Sequence, residues 1–218
     1  MPTPLTLAAL QREAALYAAW QSRRNEASLF GVTDGKAVGT HVEQAFQERL
    51  RRHYTFPEGN AARGIDFPGL NVDLKVTSVR QPQSSCPFKD ARQKIYGLGY
   101  SLLIFVYEKH DERRSRTARL DIQHAIFVAK GCTADFQTTS GLRRLLENQA
   151  NRDDLLAYFA ERMLPVSDIL AETLADEILR TPPPLGYLTI SNALQWRLQY
   201  SRVIEQAGQV DGIQRLGA

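Results

Sequence analysis

The chain has 218 residues, of which 43% are hydrophobic and 23% are charged. This length and composition are typical of one compact domain, with or without a small addition. They exclude a collagen, a long coiled coil and a largely disordered chain. The 27 Lys and Arg residues outnumber the 24 Asp and Glu residues, giving a formal net charge of +3. This small excess permits a polyanionic partner but does not require one.

The cysteines and the apolar segments indicate the cellular compartment. Cys86 and Cys132 are too few for a disulfide framework and lack the close Cys or His neighbours of a zinc site. The longest apolar run, Leu102 to Tyr107, is far shorter than the roughly 20 residues that span a bilayer. Arg12 and Glu13 interrupt the apolar N-terminal stretch, which argues against a signal peptide. We therefore expect a cytoplasmic protein that does not associate with membranes.

The N-terminal third of the chain predicts two helices followed by a strand. Residues 6–21 combine many alanines with apolar residues at helical spacing, and residues 38–53 carry an apolar residue every four positions. From Gly64 the period changes to that of a strand. Residues 72–76 predict a strand that follows a turn at Phe67-Pro68-Gly69.

The middle of the chain predicts a strand pair. Residues 102–107 and 125–129 are apolar and β-branched, and the charged segment 108–119 between them predicts a long basic hairpin loop. Before this pair, residues 81–87 predict a polar loop and residues 90–97 a short helix with basic side chains.

After Gly141 the pattern predicts helices to the end of the chain, at residues 142–146, 155–163, 169–179 and 190–204. The three prolines 182–184 favour a stiff linker and are the best candidate boundary of a C-terminal helical part. We expect a mixed α/β (α+β) fold with a central mixed sheet flanked by helices. The core takes residues 1–150, and a helical subdomain of residues 151–218 packs on it.

Charged residues at strand spacing give the chemistry of the candidate site. In a strand over residues 72–76, Asp73 and Lys75 share one face, and Asp66 before the turn can face the same point. Two carboxylates that meet in a cleft repel each other and favour a divalent cation. A neighbouring lysine can orient or deprotonate a water molecule.

The second helix offers two candidates for a third acid. At about 100° per residue from Val38, the apolar residues Phe46 and Leu50 fall near 80° and 120°. Glu43 falls near 140° and Glu48 near 280° on the same scale. Glu43 therefore borders the buried stripe, and Glu48 points to solvent.

Together these residues resemble the PD-(D/E)XK nuclease superfamily. The resemblance is to the branch that contains the mismatch-repair enzyme MutH and related type II restriction endonucleases. It covers about residues 36–107 and rests on three segments in order: Val38-Gly39-Thr40-His41-Val42-Glu43, Asp66-Phe67-Pro68 and Asp73-Leu74-Lys75. In that branch a further lysine on the next basic helix approaches the site, and Lys94 is the matching position.

The resemblance implies a restriction-endonuclease-like core and Mg²⁺-dependent, site-specific cleavage of double-stranded DNA, with Mn²⁺ as a substitute metal. Asp66 and Asp73 are expected to ligate the metal, with Glu43 bound directly or through water. Lys75 is expected to position or activate the attacking water. A type II restriction endonuclease is the first interpretation. A MutH-like nicking endonuclease and a non-cleaving DNA-binding protein of the same fold are the alternatives.

Several polar segments are candidates for DNA contacts, although an ordinary solvated surface explains each of them too. Glutamine can read adenine in the major groove, and arginine can bind phosphate. The candidates are Gln81, Gln83, Ser84, Ser85, Arg92, Arg113, Arg114, Arg116, Gln195, Arg197, Gln199 and Arg202. A homodimer is left open, and a cognate DNA methyltransferase is expected as a functional companion rather than a bound partner.

Overall fold

The computed structural model describes residues 2–57, 59, 64–86, 90–191 and 196–217. Its helices are α1 (Leu7–Gln21), α2 (Gly35–Arg51), α3 (Arg92–Tyr96), α4 (Phe136–Glu147), α5 (Arg152–Glu161), α6 (Asp168–Arg180) and α7 (Ser201–Gln206). Its strands are β1 (Thr3–Pro4), β2 (Asn25–Glu26), β3 (Tyr54–Thr55), β4 (Val72–Ser78), β5 (Gln83–Cys86), β6 (Ser101–Glu112), β7 (Thr117–Val128), β8 (Thr189–Ile190), β9 (Trp196–Gln199) and β10 (Ile213–Arg215). None of the described helices is long and apolar enough to cross a membrane.

The chain forms two compact units that interleave in sequence. The first comprises Met1–Ser84, Leu102–Val128 and Gln206–Ala218, and the second comprises Ser85–Ser101 and Ala129–Glu205. This division differs from the single boundary near residue 150 expected from the sequence. The difference arises because the last strand, β10, pairs with β7 and so returns the C-terminus to the first unit.

The first unit is built on a five-stranded sheet with the order β10-β7-β6-β4, in which β2 also pairs with β7. The pairings of β7 with β2, β6 and β10 are antiparallel. The predicted combination of a sheet with helices is confirmed, and α1 and α2 fall where the sequence placed them.

Helices α1 and α2 begin at side-chain caps and pack through aromatic rings. Thr6 Oγ1 accepts the Ala9 N–H, which satisfies one of the free donors of the first turn of α1. The ring of Tyr17 on α1 lies 5.1 Å from that of Phe46 on α2 and 5.6 Å from that of Phe105 on β6. All three residues are buried, so this aromatic cluster fixes both helices on the sheet.

The predicted strand pair is confirmed, but the predicted long hairpin loop is wrong. Strands β6 and β7 pair from Leu102↔Val128 to Glu112↔Thr117, and only residues 113–116 form the turn. Most of the charged segment therefore lies in the strands. The ladder hydrogen bonds come from the backbone and form whatever the polarity of the exposed side chains.

The second unit contains α3–α6 around a separate apolar core that includes Ile95, Leu142, Phe159 and Leu174. The three helices predicted after Gly141 are confirmed as α4, α5 and α6. The helix predicted over residues 190–204 is wrong. The described part of that range contains β8, β9 and the start of α7, and β8 and β9 pair in an antiparallel arrangement.

Asp135 connects three parts of the second unit through one buried carboxylate. Its Oδ2 accepts the Thr138 N–H at 2.8 Å and the Thr138 hydroxyl at 2.7 Å, which caps α4. Its Oδ1 accepts the Ile190 N–H from β8 at 2.7 Å. The carboxylate also favours the charged form of Lys94 on α3. It raises the pKa of this lysine, which burial lowers.

We predict that Asp135→Ala lowers the free energy of unfolding by about 3 kcal/mol, because it removes charge-assisted hydrogen bonds and leaves buried donors without acceptors. Chemical denaturation measures this change. Asn151→Ala is the matched control. Asn151 also caps a helix but is exposed, so its loss should cost only about 1 kcal/mol. Equal costs for the two variants would contradict the role given to Asp135.

Candidate active site

A tight turn before β4 brings Asp66 back beside that strand. The Phe67 N–H donates to the Val72 carbonyl at 2.9 Å, and the Val72 N–H donates to the Phe67 carbonyl at 3.2 Å. Asn71 closes the turn in the left-handed conformation at φ 54°, which asparagine tolerates better than most residues. Asp66 immediately precedes the turn, and its Oδ2 accepts the Leu74 N–H at 2.9 Å.

Phe67 anchors this turn to the aromatic core of the first unit. It is 1% exposed. Its ring lies 5.5 Å from that of Phe56 and 6.4 Å from that of Phe46. The Asp-Phe-Pro segment therefore combines a carboxylate that faces β4 with a ring that packs into the core. Burial of the ring fixes the backbone that carries the carboxylate.

Asp73 and Lys75 lie on one face of β4, as the strand period predicted. Lys75 Nζ is 2.7 Å from Asp73 Oδ2, and the alternate residues Val72 and Leu74 are buried in the core. Burial raises the pKa of the Asp73 carboxyl strongly, and the lysine charge opposes this rise. A hydrogen bond with the Asp66 carboxyl raises the pKa of Asp73 further, because two carboxyls can share a hydrogen bond only through a proton.

Glu43 on α2 is close enough to this group to interact with it electrostatically. Its pKa is raised by burial and by the Asp66 carboxylate, and it is lowered by Lys75. Glu43 is half-buried and Glu48 is exposed, which confirms the orientation inferred from helix geometry. The structure therefore brings together Glu43, Asp66, Asp73 and Lys75 from the three sequence segments.

The donor set suits a hard divalent cation. Asp66 and Asp73 offer only oxygen ligands. Mg²⁺, Mn²⁺ and Ca²⁺ prefer such ligands, and zinc prefers them less. Within the described residues, no three His, Cys, Asp or Glu side chains are grouped closely enough to hold a metal ion. The two aspartates could therefore supply only part of a coordination sphere, and water or a substrate phosphate would have to complete it.

Thr77 lies on the same face of β4 and was not among the site residues predicted from the sequence. Its hydroxyl is buried, accepts the Gln83 N–H at 3.0 Å and is within donor distance of the Gln81 carbonyl at 3.1 Å. It therefore fixes the chain after β4 to the strand that carries the acids. The strand period that identified Asp73 and Lys75 also points to this residue.

The polar loop predicted over residues 81–87 is partly wrong, because residues 83–86 form β5. Of the DNA-contact candidates here, Gln81 and Ser85 are exposed, and Gln83 and Ser84 are half-buried. The pairing of β5 with β9 and the hydrogen bonds between Gln83 and Thr77 hold this segment extended. Side chains of low strand propensity did not indicate this conformation.

Two candidates on α3 lie in the second unit and are engaged there. Lys94 is 5% exposed, and its pKa is lowered by burial and raised in part by Asp135. Arg92 forms an ion pair with Glu177 on α6. The roles predicted for Lys94 in catalysis and for Arg92 in DNA contact stay predictions.

The remaining candidates for DNA contacts differ in their exposure to solvent. Arg113, Arg114 and Arg116 are exposed in the turn between β6 and β7, where the Arg116 guanidinium lies 5.4 Å from the ring centroid of Phe30. Arg197 and Gln199 are exposed on β9. Arg202 instead stacks on Phe136, with its guanidinium carbon 3.5 Å from the ring centroid. Gln195 lies outside the described residues.

Comparison with known proteins identifies the family. A family model described as type II restriction enzyme NspV matches residues 4–215. The chain is 64% identical over 211 residues to the type II restriction enzyme NspV of Nostoc sp. (strain ATCC 29411 / PCC 7524), covering 97% of this chain and 96% of that protein. The chain belongs to the NspV family of type II restriction enzymes. It is therefore a site-specific deoxyribonuclease, as the resemblance predicted.

One solved structure also matches this NspV-family enzyme. It is the crystal structure of tetrameric restriction endonuclease SfiI bound to cognate DNA, with a TM-score of 0.43 and 11% identity. The match covers 94% of this chain and 79% of the SfiI chain.

Gly39 on α2 lies close to Val76 on β4. A Cβ added at Gly39 would meet only Val76, at 3.9 Å. We predict that Gly39→Ala raises the free energy of unfolding by about 0.5–1 kcal/mol, because alanine favours the helix. DNA cleavage should be retained. Denaturation and plasmid cleavage measure both effects.

Gly141→Ala is the matched control for this prediction, because it changes a glycine in another helix. A Cβ at Gly141 would lie 2.0 Å from the Tyr158 hydroxyl, so this variant should be destabilised. Loss of cleavage by a stable Gly39→Ala enzyme would show that the glycine has a role in the reaction rather than in packing.

Proposed function

We propose that this NspV-family enzyme is a PD-(D/E)XK nuclease that cleaves double-stranded DNA with Mg²⁺ bound by Asp66 and Asp73. The observation that carries the proposal is the convergence of the Asp66 carboxyl with Asp73 and Lys75 on β4, where burial and the Asp66 carboxyl raise the pKa of Asp73. Two carboxylates this close repel each other, and a proton on Asp73, whose pKa is raised, would relieve that repulsion. A divalent cation would relieve it more effectively.

When bound, the metal supplies Lewis-acid chemistry: it lowers the pKa of water and neutralises charge on the phosphate. Asp66 is held for this purpose by the Leu74 N–H, which donates to its Oδ2. Glu43 is half-buried and does not complete a group of three ligands with the aspartates. We therefore assign to it the ordering of a metal-bound water rather than direct ligation.

Lys75 supplies the positive charge that the developing phosphate transition state needs. Its ammonium carries N–H donors and no acceptor, so it can orient a water molecule and stabilise a phosphate oxygen. The contact with Asp73 fixes the ammonium at the site. Its side chain is 19% exposed, so the amine lies near the surface where a DNA backbone can approach.

The arginines of the β6–β7 turn are proposed phosphate contacts. Arg113, Arg114 and Arg116 are exposed within four residues of one another, and a cluster of arginines increases the local attraction for the DNA backbone. Family membership favours restriction over the nicking and non-cleaving alternatives. A methyltransferase that protects the host site is the functional companion that such an enzyme requires.

We predict that Asp73→Asn lowers the cleavage rate at least about a hundredfold, because the amide removes a metal ligand and the partner of Lys75. The thermal unfolding midpoint should not fall, because the neutral amide also removes repulsion from Asp66. A plasmid cleavage time course and a thermal melt measure the two effects.

Two variants on α2 test whether the effect depends on which face of the helix carries the glutamate. Glu43→Gln should slow cleavage, whereas Glu48→Gln should leave it unchanged because Glu48 is exposed on another face of the helix. Wild-type cleavage by Asp73→Asn, or equal effects of the two glutamate variants, would contradict the assigned site.

We also predict that Mg²⁺ and Mn²⁺ support cleavage and that Ca²⁺ supports DNA binding without cleavage. Hard oxygen ligands bind all three ions, but turnover depends on coordination geometry and on activation of water. Plasmid cleavage and fluorescence anisotropy in each metal measure this. Complete cleavage in excess EDTA would rule out a metal-dependent reaction.

A further inference from the structure

We propose that one face of the β8–β9 strand pair is a base-reading surface, with Arg197 and Gln199 as the side chains that contact base edges. The inference rests on the proposed cleavage of double-stranded DNA. It places DNA-contact candidates from residues 190–204 on paired strands rather than on the helix expected there. We call the face that carries Thr189, Ser191, Arg197 and Gln199 the reading face.

The register of the two strands defines the reading face. Thr189 pairs with Gln199, and Ile190 pairs with Leu198. One position further, the Ser191 N–H donates to the Arg197 carbonyl at 3.1 Å, and the Arg197 N–H donates to Ser191 Oγ at 3.1 Å. Because side chains alternate along a strand, these polar residues share one side of the pair.

The opposite side of the strand pair is apolar and buried. Ile190 is 3% exposed and Leu198 is 0% exposed. Arg197 and Gln199 are exposed, while Thr189 and Ser191 are half-buried. The strand pair therefore packs by one side and presents the hydrogen-bonding groups of the other side to solvent.

The chemistry of the reading face fits the edges of base pairs in the major groove. Arginine can donate two hydrogen bonds to guanine, glutamine can donate to and accept from adenine, and hydroxyl groups contact either type of pair. Strands can enter the major groove in place of a helix. Glutamine and hydroxyl groups can contact phosphate as well, so the test below separates the two roles by comparing selected with scrambled duplexes.

Hydrogen bonds within the second unit hold this surface rigidly. Asp135 Oδ1 accepts the Ile190 N–H. In addition, the Leu188 N–H donates to the Ala134 carbonyl at 3.1 Å, and the Phe136 N–H donates to the Leu188 carbonyl at 2.8 Å. The approach is so close that a Cβ at Gly186 would lie 2.2 Å from the Ala134 carbonyl oxygen. A fixed backbone lets the side chains discriminate between bases without paying to order a loop.

Three other arginines of the second unit make contacts within the protein. Arg92 pairs with Glu177, Arg152 contacts Glu172 and Asp176, and Arg202 stacks on Phe136. The side chain of Arg197 makes no hydrogen bond or ion pair with the residues that the structure describes. It is therefore available to a ligand.

The test measures base discrimination separately from cleavage. The site is first obtained by selecting bound duplexes from a randomised pool with wild-type enzyme in Ca²⁺, and independently by sequencing the ends of plasmid cut in Mg²⁺. Binding in Ca²⁺ is then measured for wild type, Arg197→Ala and Gln199→Ala. The probes are the selected duplex, each duplex with one base pair changed, and a scrambled duplex.

We expect Arg197→Ala to weaken binding to the selected duplex by about tenfold to a hundredfold and to leave scrambled DNA nearly unchanged. The loss of discrimination should be confined to one base pair, and Gln199→Ala should lose discrimination at a neighbouring pair. Arg144→Ala is the matched control. Arg144 is exposed on α4, and its removal should not change the discrimination at any base pair.

Two outcomes would overturn the proposal. An equal loss on selected and scrambled duplexes would make Arg197 a phosphate contact, and unchanged discrimination would make the strand pair a scaffold. Failure of the proposed reaction is recognised separately. In that case wild-type enzyme does not cut in Mg²⁺, while the binding comparison in Ca²⁺ still reports on the reading face.

Discussion

The position of Asp66 depends on one hydrogen bond, from the Leu74 N–H to its carboxylate. Without this bond and the turn from Phe67 to Val72, nothing would hold the Asp66 and Asp73 carboxyls close together at a partly buried position. Burial and the neighbouring Asp66 carboxyl disfavour the charged form of Asp73, as the raised pKa of Asp73 indicates. The backbone geometry and the buried ring of Phe67 hold the pair together despite this unfavourable effect.

The same constraint explains why the site is suited to a cation. Without a cation, the Lys75 ammonium would only partly compensate the negative charge of Asp66 and Asp73. A divalent ion bound as proposed would have no comparable site in the unfolded chain. Its binding would therefore stabilise the fold by mass action. On this proposal, relief of the repulsion between the two carboxylates contributes to the affinity for metal.

The sequence predicted the parts of the structure that depend on local periodicity. Glu43 was distinguished from Glu48 by helix geometry alone, and Asp73 and Lys75 were placed together by the strand period. The long β6–β7 ladder was not predicted, because its outer half is stabilised by backbone pairing between charged segments and has no apolar pattern. The local sequence also gave no indication that β10 pairs with β7, because the two strands are far apart along the chain.

The error at residues 190–204 has a more specific cause. From Arg197 to Tyr200, polar and apolar residues alternate, which is the period of a strand, but the preceding helices favoured a helical interpretation. The structure confirms the alternation, since Leu198 and Tyr200 are fully buried while Arg197 and Gln199 are exposed. Four residues are too few to separate the two periods with confidence, and the pairing with β8 decided the conformation.

The proposed chemistry and the proposed base reading lie in different units of the fold. Asp66, Asp73 and Lys75 are fixed by hydrogen bonds and packing within the first unit. The reading face is fixed by Asp135 and the backbone around Leu188 within the second. The hydrogen bonds that position the acids are thus distinct from those that position the reading face. Such an arrangement allows the recognised base pairs to change through a few exposed side chains, while the geometry required for phosphodiester hydrolysis is preserved.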